Sequence, residues 1–417
     1  MIWPEQRLSR IARLRVSNVD KLAHAGEIPV RLCNYVDVYK NDAITDDLGF
    51  MHATASSAQI ASFRLTAGDT VFTKDSETAD DIGVPAYVAE AGGDLVCGYH
   101  LAIATPDPTV VDPRFLFWAM SSRRVRDQWT VLAAGVTRVG LRSDDLGKAG
   151  IPVPPIEEQR RIADFLDTET VRLDSLVTTR SEQSTRVSER AQAVLDVTLG
   201  GLDASYGSLA LRRELRAIQQ GASPQCESRP AGPGEPGVLK LSAVNSGQYL
   251  EDENKALPEG VTGDRRYEVQ SGDLLMSRAN TPERVGDVAL VRATRPGLLL
   301  PDLIYRLTLA RPSDAEFVAI ALRSTRVRAL LSVTARGTSQ SMVKLRGEDI
   351  AALPIPAAPQ VERARAARAV REAEEAAHSL TNRISVGEAL LRERRQALIT
   401  AAVTRQFDAT TASTAKL

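Results

Sequence analysis

The feature that most constrains this 417-residue chain is that it is written twice. Gly68-Asp69-Thr70-Val71-Phe72-Thr73-Lys74 returns 204 positions later as Gly272-Asp273-Leu274-Leu275-Met276-Ser277-Arg278. Leu141-Arg142-Ser143-Asp144-Asp145-Leu146 returns as Leu345-Arg346-Gly347-Glu348-Asp349-Ile350, and Glu189-Arg190-Ala191-Gln192-Ala193-Val194-Leu195 as Glu393-Arg394-Arg395-Gln396-Ala397-Leu398-Ile399, at the same offset. Between them, Phe115 with residues 122–126 parallels Phe317 with residues 323–328, and residues 134–138 parallel 336–340. Ordered blocks at a nearly constant offset mean a duplicated domain; the period is too long for a solenoid.

Each copy reads in two parts. The first is mixed. Short β-like runs at 70–73, 94–104, 287–292 and 303–309 are broken by Gly, Pro and Asp. A helical stretch follows at 113–132 and again at 314–333. The second part is one long helix. Residues 156–199 contain neither Gly nor Pro, and Gly200-Gly201 is expected to stop that helix. Leu166, Leu173, Val187 and Val194 mark an apolar heptad track broken by Arg180; Val370, Ala377, Ile384, Leu391 and Leu398 mark its counterpart. A helix of this length with an apolar stripe is poorly stable alone in water, so the two are expected to pair antiparallel as a coiled coil. Pro152, Pro154 and Pro155, echoed by Pro354, Pro356 and Pro359, enforce an extended entry to each helix. The predicted class is α+β: two similar mixed domains and two long antiparallel helices with pseudo-twofold character. The predicted division is 1–155, 156–204, 205–357 and 358–406, with a tail at 407–417.

Composition narrows the function. No apolar run approaches a membrane span, and the N-terminal stretch lacks the apolar core of a signal peptide. Cys33, Cys97 and Cys226 are odd in number and far apart, which argues against a disulfide framework and fits a reducing cytoplasm. His24, His52, His100 and His378 show no metal-ligand spacing, so no metal site is expected. The overall charge of −1 conceals an asymmetry: −3 over 1–155 and −4 over 156–204, then +3 over 205–355 and +3 over 356–417.

Residues 151–162, Ile-Pro-Val-Pro-Pro-Ile-Glu-Glu-Gln-Arg-Arg-Ile, resemble the central motif of the specificity subunits of type I restriction-modification systems. The alternation of recognition domain and long helix, the Gly-Asp motifs at 68 and 272, Gly-Thr-Ser-Gln at 337–340 and the tail at 394–404 are similar to other features of that family. The second copy departs from the motif with Ala358-Pro359-Gln360-Val361-Glu362, and the first copy has Val136-Thr137-Arg138 in place of Thr-Ser-Gln. The resemblance implies a non-catalytic DNA-reading subunit of cytoplasmic, bacterial or archaeal location. Its implied partners are double-stranded DNA, two modification subunits that carry S-adenosylmethionine and methylate adenine, and a restriction/translocase subunit. No membrane partner and no cofactor in this chain are implied. The sequence carries neither an Asn/Asp-Pro-Pro-Tyr/Phe motif nor a phosphate-binding loop, so no catalytic residue is assigned.

Two domains at opposite ends of a helical spacer suit a bipartite target with unread base pairs between. Base reading needs donors and acceptors on loops: Arg toward guanine, Asn or Gln toward adenine, Ser and Thr more loosely. In the second copy the candidates are Ser277, Arg278, Asn280 and Arg284, with Arg336, Thr338, Ser339, Gln340, Ser341 and Lys344. In the first they are Thr73, Lys74 and Ser76, with Thr137, Arg138 and Arg142. Arg123, Arg124 and Arg126, and their echoes Arg323, Arg326 and Arg328, are candidates for phosphate contacts, which position without specifying. The intervals 157–177 and 361–385 on the helices are candidates for docking the modification subunits. Two other readings compete. One is a coiled-coil adaptor with two protein-binding domains and no DNA contact, which the acidic first copy favours slightly. The other is an enzyme in its own right, for which no nucleophile, metal or nucleotide constellation is present.

Overall fold

A computed structural model of the chain describes residues 3–135, 138–339 and 342–406. It resolves into two compact units, one of residues 1–181 with 385–417 and one of residues 182–384. Each unit holds one mixed head and half of each long helix.

The heads repeat four strands of the main sheet in the same order, and the first adds a fifth at its edge. In the first, a sheet runs in the order Ala12–Val16, Leu101–Pro106, Thr70–Thr73, Pro85–Val88, Ala43–Ile44, antiparallel except for the last pair. In the second, the order is Leu215–Gln220, Ile304–Leu309, Leu274–Ser277, Val288–Leu290, antiparallel throughout. A smaller sheet also recurs. Ile28–Cys33 lies between antiparallel Met51–Ala55 and parallel Leu95–Cys97; Gly237–Leu239 lies between antiparallel Asn254–Ala256 and parallel Leu298–Leu299. The central strands Thr70–Thr73 and Leu274–Ser277 are buried at every position, as a strand covered on both faces must be.

That smaller sheet brings Cys33 opposite Cys97 across a parallel pair, both buried and both free thiols. Their 64-residue separation in sequence hid a direct neighbourhood in space. The expected run at 94–104 is two strands, Leu95–Cys97 and Leu101–Pro106, turned at Gly98.

The helical stretch after each sheet breaks in two. Asp112 caps Pro113–Ser121 by accepting from the backbone N–H groups of Arg114 and Phe115, and Arg123–Leu132 follows after Ser122. The second head has Ala315–Leu322 and then Thr325–Thr334, capped by Ser324. Short strands close each head: Glu5–Arg7 on Gly150–Pro152, and Ser208–Ala210 on Pro354–Pro356. Pro152, Pro354 and Pro356 therefore sit in an edge pair, where a missing N–H costs little.

The long helices span Ile156–Tyr206 and Gln360–Val403. The first runs through Gly200-Gly201, contrary to the expected stop. Leu199 is buried in the core of its unit, Leu202 packs on the same core and Asp203 is ion-paired to Arg326. These contacts override a glycine penalty of about 1 kcal/mol per residue. In the first unit the early turns of one helix share a core with the late turns of the other: Ile162, Ala163 and Leu166 with Ile399, Ala402 and Val403. Arg395 Nε lies 3.1 Å from Asp174. In the second unit Leu195 and Leu199 share a core with Ala366, Ala367 and Val370. Both arrangements are antiparallel. Burial concentrates where a head packs on the helices; Leu176, in the middle of the first helix, stays 45% exposed.

Candidate nucleic-acid interface

The candidate loops begin where the central strand of each sheet ends. There the backbone repeats bond for bond. Lys74 N–H donates to His100 O at 3.1 Å and Lys74 O accepts from Leu141 N–H at 2.8 Å. Arg278 N–H donates to Leu303 O at 2.8 Å and Arg278 O accepts from Leu345 N–H at 2.9 Å. Each basic residue is thus pinned by its main chain between two segments distant in sequence. A left-handed glycine packs behind each turn: Gly83 (φ 73°) against Trp129 and Gly286 (φ 75°) against Leu331. A Cβ on Gly83 would fall 2.3 Å from the indole, so no other residue fits.

This frame gathers the two candidate segments of each head. Asp75–Ser76 pairs with Val139–Gly140 in the first. Ala279–Asn280 pairs with Met342–Lys344, which also pairs with Arg336–Ser339, in the second. Segments some 60 residues apart in sequence meet in one ribbon in both heads.

The side chains divide. Thr73 and Ser277, expected as surface readers, are fully buried. Their hydroxyls accept from Val84 N–H at 3.0 Å and Asp287 N–H at 2.9 Å, and so close the turn. Ser76 is buried too, 3.3 Å from the Tyr35 hydroxyl. These three are corrected to structural positions, because a hydroxyl at the end of a buried strand must satisfy the backbone beside it. Lys74 lies 3.8 Å from Asp75, and Arg138 pairs with Asp75 at 2.8 Å. Arg142 is exposed at the start of Ser143–Leu146.

In the second head Arg278 is half-buried, its Nε donating to the Tyr305 hydroxyl at 3.1 Å and its guanidinium 5.9 Å from that ring. Arg284 donates to Asn245 Oδ1 at 2.6 Å. Asn280 Oδ1 accepts from the next N–H, Thr281, at 2.9 Å. Lys344 is exposed on its strand. Arg336, Thr338 and Ser339 lie on the strand Arg336–Ser339. Thr137, Gln340 and Ser341 lie outside the described residues.

The arginines expected on phosphate lie on the short helices Arg123–Leu132 and Thr325–Thr334 or, for Arg323, just before the second of them. Arg123 N–H donates to Thr400 Oγ1 at 3.1 Å, and Arg124 pairs with Glu5 at 2.6 Å. Arg126 is half-buried on the same short helix. In the second head Arg323 pairs with Glu374 and Arg326 with Asp203, while Arg328 donates to the carbonyls of Val285 (2.7 Å) and Glu283 (2.6 Å). Burial pushes Arg323 and Arg328 below the ordinary arginine value.

Several neighbours of these loops went unread in the sequence: His100, Tyr35, Tyr39, Asn245 and Tyr305. His100 accompanies Asp75, with Nδ1 2.9 Å from Oδ2. Tyr35 and Tyr39 stack at 5.5 Å, and the Tyr39 hydroxyl donates to Asp81 at 2.7 Å, which pushes its pKa up to about 12. The signal that could have found His100 is strand register. Leu101 lies opposite Thr73, which places His100 beside Lys74.

Fold and site together define a class: a tandem α+β protein whose two heads each build a polar two-segment ribbon at the end of a buried strand. Residues 36–183 match the family model "Type I restriction modification DNA specificity domain". The chain is 35% identical over 141 residues to the type I restriction enzyme EcoEI specificity subunit of Escherichia coli, covering 33% of this chain and 24% of that one. It is 27% identical over 274 residues to the EcoKI specificity subunit of Escherichia coli strain K12, covering 62% and 58%. The match therefore spans less than two thirds of either relative's length. A solved chain from work on complex assembly and conformational transition of the type I R-M system shares the fold, with a TM-score of 0.66 at 16% identity, over 97% of this chain and 98% of that one. Residues 36–183 thus carry the likeness to a type I restriction-modification specificity domain, and the chain is similar to the specificity subunits of those systems.

Proposed function

We propose that the chain is the non-catalytic DNA-reading subunit of a type I restriction-modification complex, in which each head reads one half of a bipartite site. The single observation that carries this reading is the repeated ribbon. Lys74 and Arg278 occupy the same backbone position under the same two main-chain hydrogen bonds, while the side chains around them differ. A constant frame with variable polar groups is what two readers of different short sequences require. Basic residues on such a frame supply guanine-directed or phosphate-directed donors.

In this reading two modification subunits bring S-adenosylmethionine and dock on the long helices, within 157–177 and 361–385, and a restriction subunit completes the assembly. The complex works in the cytoplasm. Among the described residues no helix is long and apolar enough to cross a membrane.

The test is to express the chain with its modification partners and map methylated adenines genome-wide. A split, asymmetric sequence is expected. Replacing residues 1–150 with the corresponding head of another specificity subunit should change one half-site and leave the other. An unpatterned methylation map, or a swap that alters both halves, defeats the reading and favours the adaptor.

A further inference from the structure

Among the described residues, the first head contains a charged cluster that the second lacks. Asp75 Oδ2 accepts from His100 Nδ1 at 2.9 Å. Its Oδ1 is buried, 2.8 Å from the same nitrogen and 2.8 Å from the Arg138 guanidinium, without hydrogen-bond geometry to either. Lys74 Nζ approaches at 3.8 Å. One carboxylate therefore faces three basic groups. Asp75 and His100 are each only 16% exposed, whereas Arg138 is 50% exposed. The imidazole also lies against Tyr99, with ring centroids 3.7 Å apart.

The carboxylate settles the tautomer. It can only accept, so Nδ1 carries the proton and the neutral ring keeps its lone pair on Nε2. Among the described residues Nε2 meets no partner. In the second head the corresponding positions are Ala279 and Leu303, although the ribbon and its backbone bonds are the same. A cluster needed to build the ribbon would recur in both heads. One confined to a single head fits the task of telling two half-sites apart.

We propose that His100 is a specificity-determining residue of the first half-site, accepting at Nε2 a hydrogen bond from the exocyclic amine of a base, and that Asp75 is the positioning residue that fixes its tautomer. The inference rests on the DNA-reading function proposed above. In the major groove adenine presents an amine at N6 and cytosine at N4, whereas guanine and thymine present carbonyl oxygens there. An Nε2 acceptor therefore selects the first pair over the second.

The test uses the full chain assembled with its modification subunits and duplexes carrying its mapped site. At each position of the first half-site, adenine is replaced by purine or cytosine by pyrimidin-2-one, which deletes the amine alone; the two arms separate the two bases. Wild type should lose on the order of tenfold in affinity at one such position. His100→Ala should bind the natural and amine-less duplexes equally, with second half-site preference intact. Asp75→Asn can offer an amide N–H to Nδ1, moving the proton to Nε2, so preference at that one position should shift toward guanine or thymine. His100→Gln keeps size and an acceptor, and should retain part of the discrimination if the alanine variant fails to assemble. Variants that keep full amine discrimination, or that weaken both half-sites alike, overturn the inference. A wild-type complex that methylates no split sequence overturns the DNA-reading function itself, a distinct result.

Discussion

The two units join head to helix at equivalent places with different chemistry. In the first, Gln159 is fully buried and neutral. Its Oε1 accepts from Asp112 N–H at 2.8 Å, and its Nε2 donates to Val110 O at 3.1 Å and Pro154 O at 2.8 Å. In the second, position 363, 204 residues on, is a buried arginine. Arg363 pairs with Glu214 at 2.9 Å and Asp314 at 2.8 Å, donates to Ala358 O at 2.7 Å, and lies 5.2 Å from the Phe317 ring. Glu214 in turn corresponds to Ile11. Ala310 N–H donates to Glu214 O as Asp107 N–H donates to Ile11 O. The duplicated junction has thus diverged as a pair, Ile11 with Gln159 against Glu214 with Arg363. A buried charge persists only with its partner, so neither member could change alone without cost.

The largest expected effect breaks that pair. Arg363→Gln leaves Glu214 buried without its main counter-charge and should cost about 3–5 kcal/mol. Adding Glu214→Ile rebuilds the chemistry of the first unit and should recover most of the loss, so the two changes are strongly non-additive. Trp3, Trp118 and Trp129 all belong to the first unit. Far-UV circular dichroism should therefore register the Arg363→Gln loss in a urea titration while tryptophan fluorescence does not move. Equal shifts in both signals would show that the junctions are not independent.

The mirror experiment is smaller. Gln159→Ala removes three hydrogen bonds without orphaning a charge and should cost about 1–3 kcal/mol. Tryptophan fluorescence should report it.

Acid sharpens the same contrast. Burial opposes ionisation of Glu214, yet the bonds from Arg363 and Arg311 prevail and hold its carboxyl below the ordinary glutamate value. A depressed folded pKa contributes stability that is fully present above the unfolded value, about 4.3, and is lost as pH falls through the folded one. The second unit should lose stability across that acid window, and the Glu214→Ile/Arg363→Gln variant should lose less. Urea titrations at stepped pH values measure the difference. An unchanged pH response in the double variant would remove Glu214 as the cause.

The smallest effect concerns the helix ends. Gly200-Gly201 corresponds to Thr404-Arg405, yet the helix with the glycines continues to Tyr206 and the one without them ends at Val403. No atom lies within 4 Å of a Cβ built on either glycine. Gly200→Ala and Gly201→Ala should each raise the stability of the second unit by about 0.5–1 kcal/mol, read as a shift in the urea midpoint.

Much of the fold was legible. The 204-residue echo announced two like heads, heptads over 156–199 and 358–406 announced long helices, and the blocks at 73–76 and 277–280 located the ribbons. Side-chain roles were far less so. Thr73 and Ser277 read as polar loop residues, but each ends a buried strand and turns inward to a backbone N–H. The arginines at 323–328 read as a phosphate-facing run, yet their acceptors are Glu374, Asp203 and backbone carbonyls in their own unit. His100 read as isolated because its partner stands 25 residues away.

By itself the sequence determined duplication, element type and the order of parts, because periodicity and turn chemistry act over a few residues and a repeat is visible without a fold. Tertiary structure alone decided which polar groups face water, that Cys33 lies beside Cys97, that Asp75 orders His100, and that one junction is ionic and the other neutral. Each of those depends on which segments meet across tens or hundreds of residues. Burial then decides whether a hydroxyl, an imidazole or a guanidinium must satisfy a neighbour or is left to meet a ligand.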